Sequence, residues 1–365
     1  MPGNVSEYFR NLAIFMLFRY NHKLHGASAR QKWSAVLDME KVTVIIPNYN
    51  GKKFMEDCME GLRNQRGPRF RLLFVDNGST DGSVEFVREH YPEIEILALG
   101  KNYGFSRAVN EGIRAATTPY VILLNNDTKP RPGYVAALVR TLDEHPEAFS
   151  VSAKMIQMYH PELIDDAGDQ YTVLGWAFQR GVAHSTRRYG KPARVFSACA
   201  GAAAYRREAF EQVGYFDERH FAYLEDLDVG WRARLYGWQN LYAPDAQVLH
   251  VGSGTSGSKY NEFKVRLAAR NSIYLNYKNM PLFQLALNAP ALLAGCWVKS
   301  RFFKGIGFGQ EYKAGLKEGW KTRKICKRVP FSMSRLWNYV CVEGRLVGGT
   351  FSYVYEFLYR KLKRG

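Results

Sequence analysis

The sequence predicts an α/β domain with a mostly parallel central sheet, followed by a basic, amphipathic helical extension at the C-terminus. Short apolar runs that alternate with stretches of helical period, and polar clusters at the ends of those runs, indicate the domain. Charge indicates the extension: Lys and Arg outnumber Asp and Glu by 20 to 5 in residues 261–365, whereas residues 41–260 carry 26 of each. With 46% hydrophobic residues in a chain of 365, there is ample material for a packed core, which excludes wholesale disorder.

The elements of the α/β part follow in order from apolar periodicity. Continuous apolar runs bounded by turn residues are typical of parallel strands covered on both faces, and the polar-faced stretches between them are typical of the covering helices. The predicted strands are residues 42–47, 71–76, 94–98 and 120–125. The predicted helices between them are residues 53–65, 83–90 and 105–116. Elements in this order form βαβ units, so the strand ends meet at one edge of the sheet.

Polar clusters follow three of the predicted strands, at residues 47–51, 76–82 and 125–128. In the first, Pro47, Tyr49 and Asn50 have the shape and polarity to frame a flat base, although a turn alone explains them. In the second, Asp76 ends a buried strand and must find hydrogen-bond donors, for which a pyrimidine N–H or a ribose hydroxyl would serve. Because ligands of open α/β sheets bind at this edge, the clusters predict a binding site.

The helix predicted at residues 105–116 begins beside candidate phosphate contacts. Gly104 allows a diphosphate to approach the positive end of the helix dipole, and Asn102 and Arg107 flank it. An ordinary helix cap is the alternative explanation. The pattern is neither the G-x-G-x-x-G fingerprint nor a Walker loop, so neither a dinucleotide site nor a P-loop is predicted.

Asn125, Asn126 and Asp127 follow the fourth predicted strand. One carboxylate and two amides at a sheet edge supply oxygen ligands that suit Mg²⁺ or Mn²⁺, and such an ion would bridge the protein and a substrate diphosphate. A turn would satisfy the two Asn residues equally well, but the isolated carboxylate of Asp127 favours a metal. His250 closes a strand-like run and, taken alone, is more typical of a core residue than of a ligand.

An acidic segment of helical pattern supplies the candidate catalytic base. Asp228 can pair with Arg232 one turn later, and Glu225 lies near the helix start, where the dipole stabilises a carboxylate. Asp226 points about 100° away from its neighbours and has no evident partner. Asp226 is therefore the predicted general base, with Glu225 beside it.

The cationic C-terminal part predicts contact with an anionic partner, either nucleic acid or an acidic membrane surface. Its basic residues alternate with large apolar ones and no nucleic-acid-binding module is recognisable, so a membrane surface is predicted and nucleic acid is not. Residues 351–364 show the pattern, as a helix with an apolar side and a basic end, for which a solvated face is the alternative. Residues 281–298 carry no charge and are interpreted as embedded in the membrane or re-entrant.

Taken together and in this order, these residues resemble the family 2 glycosyltransferases of the GT-A fold, and within that family the bacterial rhamnosyltransferase-type enzymes. The resemblance covers about residues 41–275. It implies three parts: an N-terminal amphipathic extension (1–40), a GT-A nucleotide-sugar-binding domain (41–275) and a basic, membrane-associating helical tail (276–365).

The resemblance also implies a role for each candidate residue. The residues that would hold the nucleotide sugar are Pro47, Tyr49, Asn50, Asp76, Asn102, Gly104, Arg107, Asn125, Asn126 and Gly201. Asp127 would end a metal-binding D-x-D-type motif. Because Asn125 stands at the position of its first acid, more weight falls on Asp127 and on His250, which matches a metal ligand of some relatives. Asp226 of the Glu225–Asp226 pair would deprotonate the acceptor hydroxyl.

The implied function is an inverting transfer of one sugar, with rhamnose as a candidate, from a dTDP- or UDP-sugar to a hydroxyl of a glycan or lipid-linked glycan. It would use Mg²⁺ or Mn²⁺ and serve bacterial surface polysaccharide assembly, on a cytoplasmic enzyme peripheral to the inner face of the cell membrane. Two alternatives stay open. One is a catalytically silent nucleotide-sugar-binding or membrane-scaffold protein. The other is a nucleotidyltransferase, although the chain lacks the Gly-rich basic loop which that activity needs after the first strand.

Overall fold

The computed structural model describes residues 40–252 and 260–362. All but the last residue of the predicted N-terminal extension (1–40) lies outside this part of the chain, as do the last three residues of the basic C-terminal end. Residues from Lys41 onwards belong to one unit, so the described α/β part and the described tail are treated together.

Strands and helices alternate through the first half of the chain and helices dominate the end. The strands are β1 (Val42–Asn48), β2 (Phe70–Asp76), β3 (Glu95–Ala98), β4 (Tyr120–Leu124), β5 (Thr128–Pro130), β6 (Ala148–Gln157), β7 (Ile164–Asp166), β8 (Asp169–Tyr171), β9 (Ala177–Gln179), β10 (Ala193–Arg194), β11 (Ala202–Arg206) and β12 (Gln239–His250). The α-helices are α1 (Lys52–Arg63), α2 (Ser83–His90), α3 (Phe105–Ala115), α4 (Tyr134–Glu144), α5 (Ala209–Val213), α6 (Glu225–Leu235), α7 (Glu262–Asn279), α8 (Leu282–Gly305), α9 (Gly309–Thr322) and α10 (Leu336–Leu362). The elements predicted for residues 42–125 are all present, with ends within two residues of those expected.

One sheet has the strand order β10-β12-β6-β11-β4-β1-β2-β3. The strands β4, β1, β2 and β3 are parallel, as predicted. β11 runs antiparallel between β4 and β6, and β12 is parallel to β6. The predicted α/β class is therefore confirmed, with a parallel half that positions the strand-end clusters and a mixed half that the apolar pattern did not distinguish.

The two faces of the sheet are covered by separate apolar clusters. Val44 and Ile46 of β1 pack on one side with α1 and α4, and Ile45 packs on the other with α3. Gly112 of α3 approaches this second face so closely that a Cβ there would collide with the side chain of Ile45. The continuous apolar run of β1 is thus explained by burial on both sides.

The C-terminal helices pack on the hairpin formed by β8 and β9. In α8, a Cβ at Gly295 would collide with the carbonyl of Leu174, and in α10 a Cβ at Gly349 would collide with that of Tyr171. Val173 donates a backbone hydrogen bond to Thr350 Oγ1 (3.2 Å). The tail is therefore in close contact with the α/β part, and α7 runs without a break through the predicted boundary at residue 275.

Among the described residues, α8 is the one helix whose length and composition would allow it to cross a membrane. Its mean hydropathy is 1.2, and 17% of the apolar window is buried. Core helices of soluble proteins pass the same test, so α8 alone is weak evidence for a span. The prediction that residues 281–298 are embedded or re-entrant stays a prediction.

Candidate active site

Asn48, the last residue of β1, connects the strand-end clusters. Its side-chain amide lies 3.1 Å from Asp76 Oδ1 and 2.9 Å from the hydroxyl oxygens of Ser79 and Ser83. Its Oδ1 accepts a hydrogen bond from Asn126 Nδ2 (2.6 Å). The first, second and third polar clusters therefore meet at one edge of the sheet, around a residue that the sequence did not single out.

Asp76 ends β2 and is 4% exposed. Its Oδ2 accepts from the backbone N–H groups of Gly78 (3.1 Å) and Ser79 (3.0 Å), and its Oδ1 accepts from Asn48. The donors that a buried carboxylate needs are thus supplied by the protein, and lone pairs remain for a ligand N–H. The predicted contact of Asp76 with a nucleoside base stays a prediction.

Tyr49 and Asn50 form the turn after β1. Asn50 has a positive φ of 51°, and its Oδ1 accepts from the backbone N–H of Thr80 (2.8 Å), which ties the first cluster to the second. Tyr49 is 37% exposed. Pro47 lies inside β1 and does not end it, because the strand continues to Asn48. The predicted contact of Tyr49 with a base stays a prediction.

Gly104 precedes α3 with a φ of +88°, and a Cβ there would collide with the ring and the carbonyl of Phe221. Its backbone N–H donates to Asn102 Oδ1 (2.9 Å), which also accepts from Asn77 (3.0 Å). The start of α3 is therefore held by polar contacts from the second cluster. Glycine is required at this position by both its backbone conformation and the close approach.

Arg107, one turn into α3, is held by carboxylates. It pairs with Glu111 (2.7 Å) and with Glu218 (3.0 Å), and Glu218 raises its pKa above the ordinary value. The positive charge is therefore already balanced by two acids. The diphosphate contact predicted for Arg107 would require these ion pairs to open.

Asp127 and His250 lie side by side, as the resemblance implied. Asp127 Oδ1 is 3.5 Å from His250 Nε2, and the other ring nitrogen is 2.7 Å from Asp165 Oδ2. Burial alone would lower the pKa of His250, but the hydrogen bonds with Asp127 and Asp165 raise it to about 10. The imidazole is thus fixed between two carboxylates, with one nitrogen directed at Asp127.

The turn before β11 joins the Asn125 cluster to the acidic helix. Asn125 N–H donates to the carbonyl of Gly201 (2.9 Å), and a Cβ on Gly201 would lie 3.1 Å from the Asn125 side chain. The neighbouring Ala200 N–H donates to the carboxylate of Asp226. The predicted metal motif and the predicted base are therefore separated by one short turn.

Glu225 and Asp226 begin α6. Glu225 is 6% exposed, and its Oε2 has no hydrogen-bond partner among the described residues. Asp226 is partly exposed, and its Oδ1 accepts from the backbone N–H of Leu227 (2.7 Å). The expectation that Asp226 has no partner is wrong: its carboxyl contacts that of Asp169 in β8, which is distant in sequence.

The turn before α6 is strained. Phe221, Tyr223 and Leu224 all have positive φ angles, between 64° and 70°. The side-chain amide of Asn271 in α7 lies within 2.8–2.9 Å of three carbonyl oxygens of this turn. Strain of this kind persists only where the surroundings hold it, and here it sets the direction in which α6 presents its first acids.

Asp228 is held by several side chains within the fold. It pairs with Arg232 (2.9 Å), as predicted from their spacing, and also with Lys278 (2.8 Å) and Asn279 (2.8 Å) of α7. Asp228 is fully buried. Burial alone would raise its pKa, but Arg232 and Lys278 lower it well below the usual range. Asp228 is therefore committed to the packing of α6 against α7.

Most of this site lies in a region shared with known proteins. The protein-family model described as Glycosyl transferase family 2 matches residues 43–214 of the sequence. N-acetylglucosaminyl-diphospho-decaprenol L-rhamnosyltransferase of Mycobacterium tuberculosis is 34% identical over 240 residues, which cover 59% of this chain and 77% of that protein. The chain belongs to glycosyl transferase family 2.

Two further known proteins resemble this family 2 glycosyltransferase, one in sequence and one in structure. The pre-mycofactocin glycosyltransferase of Mycobacterium tuberculosis is 30% identical over 217 residues, covering 57% of this chain but only 42% of that protein. The crystal structure of GalNAc-T7 with UDP, GalNAc and Mn²⁺ superposes with a TM-score of 0.54 at 14% identity, over 66% of this chain and 48% of that one. At this identity the likeness shows the fold alone, and the predicted GT-A type is confirmed.

The residues of the glycosyltransferase fit a divalent cation at Asp127 and His250. One carboxylate oxygen and one imidazole nitrogen face each other at 3.5 Å, and both are ligand types that Mn²⁺ and Mg²⁺ sites use. Asp165 fixes the orientation of the imidazole from its other side, as outer-shell carboxylates do at metal-binding histidines. With two protein ligands, the remaining positions would be left to diphosphate oxygens and water.

Three residues of this site escaped sequence reasoning. Asn48 lies inside the first polar cluster, but the residues on either side of it, Pro47 and Tyr49, were the ones assigned a role. Asp165 and Asp169 fall in a short segment that matches no motif, although three acids within five residues, 165–169, are a signal that could have drawn attention. Their contacts reach residues far away in the chain, which local patterns do not encode.

Proposed function

We propose that this glycosyltransferase moves one sugar, with rhamnose as the first candidate, from a dTDP- or UDP-sugar to a hydroxyl of a lipid-linked glycan, with inversion at the anomeric carbon. The mycobacterial relative is named for rhamnosyl transfer to N-acetylglucosaminyl-diphospho-decaprenol, which supports a prenyl-diphosphate-linked acceptor. The proposed place is the cytoplasmic face of the cell membrane, in the assembly of a surface polysaccharide.

The observation that carries this proposal is the position of two consecutive acids in β7. Successive side chains of a strand point to opposite faces. Asp165 holds His250 beside Asp127, and Asp166 lies against Asp169, which contacts Asp226. One short strand therefore supports both the half of the site that would receive a diphosphate and the half that would receive an acceptor hydroxyl.

Each half has a distinct chemical task. Asp226 takes the acceptor proton while the acceptor oxygen bonds to the anomeric carbon and the nucleoside diphosphate leaves from the opposite face. The positive end of the α3 dipole stabilises the departing negative charge. Bound at Asp127 and His250, Mg²⁺ or Mn²⁺ would supply further positive charge to the diphosphate. One direct displacement gives a product of inverted configuration.

The test is transfer by the full chain in the presence of Mn²⁺ or Mg²⁺. We expect release of nucleoside diphosphate from one sugar of a dTDP-, UDP- and GDP-sugar panel, dependent on a prenyl-diphosphate-linked N-acetylglucosamine acceptor. NMR of the product should show the anomeric configuration opposite to that of the donor. Excess EDTA should abolish transfer, and Mn²⁺ or Mg²⁺ should restore it. Full activity in EDTA would refute the metal site, and retained configuration would refute the direct displacement.

The partner proposed for the tail is an anionic membrane surface. Large apolar side chains of α8 and α10 are exposed, among them Leu282, Trp297, Trp337 and Phe351, at 63–74%. They lie in a segment with an excess of 15 positive charges, and a soluble surface seldom exposes so many large apolar groups on neighbouring helices. Apolar insertion and attraction to anionic headgroups would act together.

Point variants test the membrane surface better than truncation, because removing residues 281–365 would uncover the β8–β9 hairpin. We expect Trp337→Ser with Phe351→Ser to weaken binding to phosphatidylglycerol vesicles, and high salt to weaken binding of the parent chain. The matched control is Tyr159→Ser, which removes an equally exposed aromatic (71%) from the α/β part. Binding unaffected by the double variant and by salt would refute this partner.

A further inference from the structure

Three carboxyl groups form a row that leads from the start of α6 into the interior. One carboxyl oxygen of Asp169 lies within 4.8 Å of one of Asp166, and the Asp169 carboxyl also contacts that of Asp226. Asp226 is partly exposed, Asp169 is 8% exposed and Asp166 is fully buried. The row therefore runs from the surface of the proposed acceptor site to a position without solvent.

The hydrogen-bond donors are distributed unevenly along the row. Asp226 accepts from the backbone N–H groups of Leu227 and Ala200. Asp166 accepts one backbone hydrogen bond from Gly168 through Oδ1, while its buried Oδ2 has no donor among the described residues. A buried carboxylate oxygen without a donor is costly, whereas the hydroxyl of a protonated carboxyl can itself be the donor.

The two buried carboxyls and the partly exposed one beside them cannot all be ionised, because like charges at such short range repel strongly where little water is present. Burial raises the pKa of Asp169 well above the usual range, and burial likewise raises that of Asp166. Asp165 and Glu225 act on the row from its own elements, and the charged or titratable groups that act on it from elsewhere are Arg180, Cys199, Tyr205 and Tyr242. Arg180 favours the ionised form of Asp166, but its effect is smaller than that of burial.

We propose that Asp166 and Asp169 are neutral carboxylic acids that donate hydrogen bonds in series, Asp166 to Asp169 and Asp169 to Asp226, so that the negative charge of the row rests on Asp226. The inference rests on the proposed function, in which Asp226 is the catalytic base. Asp166 and Asp169 are positioning residues, since neither reaches the substrate. They fix the orientation of the Asp226 carboxylate and leave its remaining lone pair for the acceptor proton.

The first test compares amide and methyl replacements. An amide N–H₂ can donate as a neutral acid does, so Asp169→Asn and the double variant Asp166→Asn/Asp169→Asn should keep transfer within about threefold of the parent at neutral pH. Asp169→Ala removes the donor and should lower kcat by a factor on the order of 10–10², with the donor KM unchanged. Asp245→Asn, an exposed aspartate in an ion pair with Arg140, is the matched control and should leave transfer unchanged.

The second test reads the protonation state without catalysis. A carboxyl whose pKa is higher in the folded chain than in the unfolded one stabilises the fold less as pH rises from its unfolded pKa towards its folded pKa. The parent should therefore lose stability between pH 4 and pH 7 relative to the double Asn variant, which does not titrate at these positions. The melting temperature of the variant minus that of the parent should increase by about a few degrees over this range.

The outcomes separate this inference from the proposed function. If the parent transfers sugar, Asp226→Asn does not, and Asp169→Asn is as inactive as Asp169→Ala, then Asp169 acts as an ionised group and this inference alone fails. A melting difference that stays constant or shrinks between pH 4 and pH 7 overturns it as well, even if both Ala and Asn variants fold poorly. If Asp226→Asn transfers at the parent rate, the proposed base itself is wrong.

Discussion

Carboxyl groups have different surroundings in the two halves of the site, the sheet edge at β1 and β2 and the start of α6. At the edge formed by β1 and β2, Asp76 accepts hydrogen bonds from Asn48 and from two backbone N–H groups, so the donors that a buried carboxyl group needs are present. At the start of α6, the acids face other acids, and Glu225 Oε2 lacks any partner in the described part of the chain. We propose that the first arrangement serves donor binding and the second serves proton transfer, because only the second places carboxyl groups against one another.

The largest effect is expected at Asp226, the proposed catalytic base. Asp226→Asn keeps the side-chain shape and removes its basicity, so kcat should fall by a factor on the order of 10²–10⁴ while donor affinity persists. The measurement is the transfer rate and donor affinity of the parent, Asp226→Asn and Glu225→Gln, with thermal melting as the folding check. A near-parent rate for Asp226→Asn with an inactive Glu225→Gln would move the base to Glu225.

Asp228, in the same helix, should affect stability and not chemistry. Asp228→Asn leaves the buried Arg232 without its charge partner and leaves Lys278 with Asp217 alone, so the free energy of unfolding should fall by about 3–5 kcal/mol. Denaturant unfolding measures the free energy of unfolding. The control is Asp245→Asn, which removes an exposed ion pair with Arg140 and should change that free energy by no more than about 0.5 kcal/mol. If Asp228→Asn lowered the free energy of unfolding as little as Asp245→Asn does, the ion pairs of Asp228 would not be buried in the folded protein.

The contribution of Asp228 also has a pH dependence of defined sign. Because Arg232 and Lys278 hold its folded pKa below the unfolded value near 4, the stabilisation is present above that value and is lost as pH falls through the folded pKa. The parent should therefore lose stability on acidification more steeply than Asp228→Asn. Parallel acid unfolding curves for the two proteins would contradict the buried ion pairs.

At the sheet edge formed by β1 and β2, a substitution should affect binding of the donor. Asn48→Ala leaves the buried groups of Asp76 and Asn126 short of a partner, at about 1–3 kcal/mol, and should raise the donor KM by about tenfold with little change in kcat. Steady-state kinetics measure this, with Asn64→Ala, an exposed residue at the end of α1, as control. A fall in kcat at unchanged KM would show that this edge takes part in the chemical step, and the contrast between the halves would break down.

The smallest effect is expected at Arg107. Since Glu111 and Glu218 already balance its charge at the surface, Arg107→Gln should change the donor KM by less than about threefold. Arg71→Gln, which removes another exposed ion pair, is the matched control. A rise of tenfold or more in the donor KM for Arg107→Gln alone would restore the diphosphate contact that the sequence predicts.

The sequence predicted what depends on neighbouring residues. The strands and helices of residues 42–125 follow from local apolar periodicity, and the pair Asp228–Arg232 follows from helical spacing. The resemblance to the family assigned Asp127 and His250 to one site, and the two side chains lie 3.5 Å apart. By contrast, the contact between Asp226 and Asp169 joins α6 to a hairpin more than 50 positions earlier, and nothing in either segment encodes the other.

The tail shows the same limit in another form. Its charge and aromatic content predicted a surface helix, and the exposure of Phe351 and Trp337 agrees with that pattern. The pattern did not reveal that the opposite side of α10 carries Glu356, which is 2% exposed and accepts hydrogen bonds from Gly181 (3.2 Å) and Tyr189 (2.8 Å). An acidic residue near the basic end of a helix is expected to be solvated unless its distant partner is known.

The packing of α10 on the β8–β9 hairpin has a consequence for synthesis on the ribosome. Thr350 and Glu356 are 177 and 175 residues further along the chain than Val173 and Gly181, their hydrogen-bond partners. Contacts of such sequence separation form late in folding. While the last helix is still inside the exit tunnel, the hairpin that carries Asp169 lacks its cover. We therefore expect the hairpin of a nascent chain to become fully ordered only once α10 has left the exit tunnel.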